Sequence, residues 1–308
     1  MSTTIPIIPF DAGEKLLDWL DLTEALADGH DLPRAEIADS FLYRDPDTLL
    51  NRAAWIDGLG SLVKTATVFP RNPEHGVPMV NGGVSLYSDL DGTLEALVDF
   101  HLVTKWKTAG DSLLAARRLA RPDSARIVIA GAGTVGRSLC EAFAEAFPEA
   151  RISLWNRTVA KAEALAREIG SVDVAPDLEA AVRQADIVVS ATMSSEPLIK
   201  GDWLHPGQHI NLIGAYRPDM READDVALQR AKIYVDSRDT TIGHIGEIQI
   251  PLDRGVITEA DILADFYQLD AFEQGGADDI TLFKNGGGAH LDLMTSRYIL
   301  DRWEAAQT

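Results

Sequence analysis

The sequence predicts an α/β protein: a doubly wound parallel sheet inserted into a second, α+β domain. Three observations predict it. The run Arg126-Ile127-Val128-Ile129-Ala130 is apolar and largely β-branched, and it leads directly into Gly131-Ala132-Gly133-Thr134-Val135-Gly136. Residues 151–236 then alternate short apolar strands with helical patterns. The segments on either side, 1–121 and 287–308, have a different texture, with strands, hairpin turns and long helices.

A continuous apolar run is how a strand buried on both faces of a parallel sheet reads. The glycines that follow allow a tight turn and close approach of a pyrophosphate. Arg137 to Phe147 places Leu139, Phe143 and Phe147 at helical spacing. That helix would aim its free N–H groups at phosphate. Strands are expected at Arg151 to Trp155, Val172 to Ala175, Asp186 to Ala191, His209 to Gly214 and Lys232 to Asp236. Helices are expected at Val159 to Ile169, Leu178 to Gln184 and Asp224 to Arg230. Alternation of this kind builds right-handed crossovers and a Rossmann-type sheet.

The first segment begins with a helical pattern from Ala12 to Ala27, broken at Asp31-Leu32-Pro33-Arg34. Ser61 to Phe69 and Val80 to Tyr87 read as strands. Asp89-Leu90-Asp91-Gly92 reads as a hairpin turn returning through Leu94 to Asp99. Leu102 to Arg121 is a long helix, stopped by Arg121-Pro122-Asp123. The boundaries therefore fall as 1–121 plus 287–308 around a nucleotide domain at 122–286. A strand at Ile280 to Lys284, a glycine turn at Gly286-Gly287-Gly288 and a helix from Ala289 to Ala306 close the chain.

Composition limits the function. Against 28 Lys and Arg stand 48 Asp and Glu in 308 residues, a formal charge of −20. So acidic a chain is a poor ligand for nucleic acid or an anionic membrane. One cysteine, Cys140, excludes an internal disulfide framework and fits a reducing cytoplasm. MSTTIPIIPFDAGE lacks the basic start and apolar run of a secretion signal. No apolar run reaches the roughly 18 residues that span a bilayer. The seven histidines give no metal pattern: His205 and His209 are four apart, but Pro206 and Gly207 lie between them. His290 is expected to cap or pack the last helix. No metal is expected.

The nucleotide is expected to be NADPH, with NADH possible. Where a free ribose 2′-hydroxyl usually meets Asp or Glu, the second strand ends in Asn156-Arg157-Thr158, with Lys161 one helical turn on. The planar fork of Arg157 suits a 2′-phosphate. Gly131, Gly133, Thr134, Val135 and Gly136 form the phosphate turn. Two lysines suggest an anionic substrate. Lys64 lies inside an apolar strand, where a charge is costly without a partner, and Lys107 lies inside the long helix.

Taken in order, several segments resemble the ornithine cyclodeaminase and μ-crystallin family. They are Val63-Lys64-Thr65-Ala66-Thr67-Val68-Phe69-Pro70, Thr104 to Ser112, Arg121-Pro122-Asp123 and Gly131-Ala132-Gly133. Further on come Gly214-Ala215-Tyr216-Arg217-Pro218-Asp219-Met220-Arg221-Glu222, Asp236-Ser237-Arg238 and Thr281 to Gly286. The resemblance implies that the first segment and the last helix form a substrate and dimerisation domain, giving a homodimer. It also implies that Arg34, Lys64 and Lys107 surround a substrate carboxylate and that Lys64 assists proton transfer. Thr192 and Gly214 would lie toward the nicotinamide, at strand C-termini. Two departures are informative. Lys107 stands where arginine is common, and Tyr216 stands where cyclodeaminases have a catalytic aspartate, with Asp219 three residues on. Both resemble the branch that reduces Δ1-pyrroline-2-carboxylate.

The expected activity is therefore NAD(P)H-dependent reduction of a cyclic imino acid, Δ1-pyrroline-2-carboxylate or Δ1-piperideine-2-carboxylate. Its alternatives are an ornithine cyclodeaminase, an open-chain amino-acid dehydrogenase, or a non-catalytic NADPH-dependent binding protein of crystallin type.

Overall fold

The computed structural model describes residues 5–308; Met1 to Thr4, the start of the stretch read for a secretion signal, lie outside the described residues. Two compact units emerge, residues 1–107 with 288–308, and residues 108–287.

In the first unit β1 (Ile7–Ile8) precedes two short helices, α1 (Phe10–Gly13) and α2 (Trp19–His30). The single helix expected from Ala12 to Ala27 is thus broken. Asp18 breaks it, because its carboxylate accepts from the N–H groups of Leu20 and Asp21, both at 2.9 Å, and starts a new helix. Five long strands follow: β2 (Glu36–Arg44), β3 (Asp47–Ile56), β4 (Gly60–Val68), β5 (Val80–Tyr87) and β6 (Leu94–Asp99). The sheet order is β1-β6-β5-β4-β3-β2, antiparallel except for β1 on β6. Alternation sends Leu62, Lys64 and Ala66 to the buried face of β4, with Val63 and Thr65 on the other. Register places Arg52 of β3 directly opposite Lys64. Asp99 then caps α3 (Phe100–Leu119) by accepting from the N–H groups of His101 and Leu102.

The units divide at Lys107 and Thr108, inside α3, rather than at the Arg121-Pro122-Asp123 turn. The reason is that the second half of α3 belongs to the other core. The Ser112 carbonyl accepts from Asn211 Nδ2 at 2.8 Å, and Asp111 binds Asn285.

The second unit is an eight-stranded, wholly parallel sheet. Its strands are β7 (Arg126–Ala130), β8 (Arg151–Trp155), β9 (Asp173–Val174), β10 (Ile187–Ser190), β11 (His209–Leu212), β12 (Lys232–Val235), β13 (Ile262–Ala264) and β14 (Thr281–Lys284). The helices are α4 (Thr134–Ala146), α5 (Val159–Ile169), α6 (Leu178–Gln184), α7 (Asp225–Arg230), α8 (Arg238–Thr241) and α9 (Gly246–Asp253). The order β13-β12-β14-β11-β10-β7-β8-β9 reverses direction between β7 and β10. Such a switch point opens the ligand crevice at the strand C-termini. β14 enters between β11 and β12, and α10 (Ala289–Ala305) then returns the chain to the first unit. Cys140 is fully buried in α4, and burial pushes its thiol up to about 12, so it is core. Among the described residues no helix is long and apolar enough to cross a membrane.

Candidate active site

In the first unit two lysines share one carboxylate. Asp292 of α10 has no exposed surface. Lys64 Nζ donates to Asp292 Oδ1 at 2.8 Å and to Thr104 Oγ1 at 2.7 Å. It also lies 4.6 Å from the centroid of the Phe100 ring. Lys107 Nζ stands 3.5 Å from Asp292 Oδ2, an ion pair on the other oxygen. Thr104 and Lys107 project from the same stretch of α3, one turn apart. Arg52, beside Lys64 on β3, is held by Asp39 at 2.7 Å.

These charges set one another. Burial lowers the pKa of Lys64 to about 8; Asp292 resists the fall, and Lys107 and Arg52 add to it. Burial would raise Asp292, but Lys107, Lys64 and Arg52 outweigh it and hold the carboxyl at about 2. Asp292 therefore stays ionised. One carboxylate against two ammoniums leaves the cluster with one uncompensated positive charge, while Arg52 and Asp39 cancel. A second anion is what such a cluster accepts.

Of the substrate residues expected from sequence, Lys64 and Lys107 come together. Arg34 lies on the exposed segment after α2, and its charge bears on His290, two residues before Asp292. His290 is buried in α10, with its ring edge-on to His30 at 5.5 Å. Burial, with His30 and Lys107 nearby, keeps it well below the usual histidine range. Tyr216 and Asp219 belong to an exposed loop of the second unit. There Arg217 grips Asp219 in a bidentate pair, at 2.8 Å and 2.9 Å, and its guanidinium lies 5.6 Å from the Tyr216 ring centroid. The pair with Arg217 lowers the pKa of Asp219.

The second unit supplies a cradle for a nucleotide. Gly131 has φ of +124° and its N–H donates to the Trp155 carbonyl at 2.8 Å. A Cβ on Gly136 would stand 1.8 Å from the Gly131 carbonyl oxygen, so only glycine lets α4 start this close to β7. A Cβ on Gly133 would meet open space, and no side chain caps the helix that starts after it. Gly133 and Thr134 are exposed, with Val135 half-buried behind them. Exposed, uncapped N–H groups at the start of a thirteen-residue helix fit a pyrophosphate. Asn156 braces this turn: its Oδ1 accepts from Ala132 N at 3.1 Å and its Nδ2 donates to the Thr158 carbonyl. Arg157, Thr158 and Lys161 are exposed at the start of α5. Thr192 and Gly214, at the ends of β10 and β11, are both bound to Glu222.

Sequence reasoning missed Arg52, Thr104, Asp292 and Glu222. Each had a signal. Asp292 stands between Leu291 and Leu293 in the last helix, and Glu222 closes the Gly214-to-Glu222 segment. Among the described residues no group of His, Cys, Asp and Glu is arranged to hold a metal ion.

A parallel sheet with a glycine-rich first turn, in a chain whose other unit carries a buried lysine pair on one carboxylate, defines a dinucleotide-binding type of protein. The sequence model of the ornithine cyclodeaminase/mu-crystallin family matches residues 57–307, and the chain belongs to that family. It is 49% identical over 291 residues to the Δ1-pyrroline-2-carboxylate reductase of Paracoccus denitrificans, covering 92% of each chain. Its fold matches that of Thermococcus litoralis Δ1-pyrroline-2-carboxylate reductase in complex with NADH and L-proline. That match has a TM-score of 0.88, 24% identity and 98% coverage of each chain. An archaeal alanine dehydrogenase dimer with bound NAD matches with a TM-score of 0.88 at 25% identity, over 99% of this chain and 97% of that one.

Proposed function

We propose that this protein is an NAD(P)H-dependent reductase of a cyclic imino acid, Δ1-pyrroline-2-carboxylate or its six-membered homologue, giving L-proline or L-pipecolate. The observation that carries the reading is the Lys64–Asp292–Lys107 cluster, with its one surplus positive charge. The 49% identity to a Δ1-pyrroline-2-carboxylate reductase over nearly the whole length supports the choice of substrate.

Lys107 binds the substrate carboxylate, the positive charge of Lys64 attracts it, and Arg34 adds a further cation. Bound reduced nicotinamide supplies the hydride that ends on ring carbon C2. Lys64 keeps the ring nitrogen protonated. Its ammonium is steadied by Asp292 and Thr104, so one N–H remains for the substrate. The product amine keeps that proton, and Lys64 takes another from solvent. Positioning and charge placement are the protein's main contribution.

Gly131, Gly133, Thr134, Val135 and Gly136 would cradle the pyrophosphate, with Thr192 and Gly214 toward the nicotinamide. Arg157 and Lys161 would meet a 2′-phosphate, so NADPH is the preferred cofactor. No carboxylate occupies 156–158, and no ion pair with a described residue ties up the Arg157 guanidinium.

Ornithine cyclisation would need a free carboxylate to manage a distal ammonium. Asp219 is engaged by Arg217. Tyr216 carries a phenol in place of a carboxylate. Both favour imine reduction over cyclodeamination.

Two further proposals concern assembly and place. The outer face of the first sheet exposes Ile7, Trp55, Val63 and Leu97, a patch of the kind that pairs subunits. A homodimer through this face is consistent with the dimeric alanine dehydrogenase. The single buried Cys140 fits a reducing cytoplasm.

The test is NADPH oxidation with five- and six-membered cyclic imino acids, ornithine plus NAD, and alanine plus NAD. Turnover confined to the cyclic imines supports the reading. Turnover confined to either amino acid would falsify it.

A further inference from the structure

A buried carboxylate under the ends of β10 and β11 has no task in the scheme above. Glu222, on the segment between β11 and α7, has no exposed surface. Five donors converge on its two oxygens. Oε1 accepts from Ser190 Oγ at 2.6 Å, Thr192 N at 2.8 Å and Thr192 Oγ1 at 3.1 Å. Oε2 accepts from Gly214 N at 2.6 Å and Ala215 N at 3.0 Å. Ser190 ends β10 and Thr192 follows it; Gly214 and Ala215 follow β11. One side chain thus ties together the C-terminal ends of two adjacent strands.

The two ends are also in contact. A Cβ on Gly214 would lie 2.0 Å from the Thr192 carbonyl oxygen and 2.4 Å from its nitrogen. Glu222 is itself held from behind. Its N–H donates to Glu247 Oε2 at 2.5 Å, and Ala223 N donates to Glu247 Oε1 at 3.1 Å. The fully buried Lys284 donates to the Leu212 carbonyl at 3.0 Å, and its charge offsets those of Glu222 and Glu247.

A buried charge is costly, and a loop needs none to close its own hydrogen bonds. An ionised carboxylate does something an amide cannot: it accepts on every lone pair and offers no competing hydrogen. Five donors can then be locked in one geometry. In an open parallel sheet the bound ligand lies across these strand ends. With the phosphates at the turn after β7, the far half of a dinucleotide reaches β10 and β11.

We propose that Glu222 is a positioning residue for the nicotinamide half of the cofactor, locking the Thr192 and Gly214–Ala215 segments into one rigid ledge. Glu222 touches neither cofactor nor substrate; it acts through the backbone it holds. The inference rests on the nicotinamide-cofactor reading above.

Glu222→Gln tests it. Glutamine keeps the volume but turns an NH2 toward two of the five donors. Binding is measured by calorimetry for two ligands: NADPH, and 2′-phospho-ADP-ribose, which has the adenosine half and pyrophosphate but no nicotinamide. The expected result is about tenfold weaker NADPH binding, roughly the loss of one good hydrogen bond, with fragment binding unchanged. Ser190→Ala removes one donor without burying a new polar group, and should show the same selective loss at about threefold. It decides the matter should Glu222→Gln not fold. Equal losses for both ligands, or none for either, in the folded variants would overturn the assignment and leave the cofactor reading standing. Wild-type protein that binds neither NADPH nor NADH would overturn both.

Discussion

Replacing Asp292 with asparagine removes the negative charge that keeps Lys64 protonated while leaving the shape of the side chain. At the 2.8 Å separation of Lys64 Nζ and Asp292 Oδ1, Coulomb's law with an effective dielectric of about 20 gives roughly 6 kcal/mol of attraction. The asparagine oxygen retains a hydrogen bond, and the cluster relaxes, so only part of this is lost. Losing about 2 kcal/mol already lowers the Lys64 pKa by about 1.5 units, from about 8. The groups facing Lys64 are Asp292 from α10, Thr104 and Lys107 from α3, and Arg52 from β3. Without Asp292 the charged ones all oppose the ammonium. In the proposed mechanism the ammonium is the active form, so activity should be present below the Lys64 pKa and fall as pH rises through it. The assay is kcat/KM for imine reduction against pH, in both proteins. The imine substrate titrates identically with each enzyme, so any difference belongs to the protein. Wild type should lose activity near pH 8, and Asp292→Asn about 1.5 pH units lower. A folded Asp292→Asn whose alkaline limb is unmoved would refute the coupling.

Three other outcomes follow from the same structure. Lys64→Ala removes the proposed proton donor and a positive charge that attracts the carboxylate, and should lower kcat/KM by at least about a hundredfold; near-wild-type turnover in a folded protein would overturn the assignment. Arg157→Ala should erode the preference for NADPH over NADH by about tenfold, one charge-assisted hydrogen bond, measured as the ratio of the two kcat/KM values. Light scattering at micromolar concentration should give about twice the 33.5 kDa chain mass, and Val63→Asp, which places a charge on the outer sheet face, should shift it toward the monomer.

Much of the fold is legible because its signals are local. Ile127 to Ala130 is a buried strand on composition alone, and Gly131, Gly133 and Gly136 specify the turn after it. The sheet order is not local. β14 enters between β11 and β12 through packing that no short window records. Residues 237–279 carry two α-helices, two 3-10 helices and β13 that periodicity did not single out, partly because Pro251 lies within α9. The Asp18 cap that breaks the first helix was legible, but Leu16, Leu17 and Leu20 suggested continuity. The unit boundary inside α3 has no sequence mark, since an unbroken helix gives no turn signal.

The candidate site shows the same division. A lysine at an inward strand position stands out, so Lys64 was found. Its partner Asp292 lies 228 residues away, and only the fold brings them together. Glu222 was in view as the last residue of a recognisable segment, yet its five donors come from two separate places in the chain, at 190–192 and 214–215.

The central claim is that a hydride reaches C2 of a cyclic imino acid, with no loss of nitrogen. Mass spectrometry of the product formed with NADPH deuterated at the transferable nicotinamide C4 position tests it directly. The account predicts one deuterium at the α-carbon of proline or pipecolate, and no ammonia when ornithine and NAD replace the imine and NADPH. Proline without deuterium, or ammonia released from ornithine at a rate comparable to imine reduction, would contradict it.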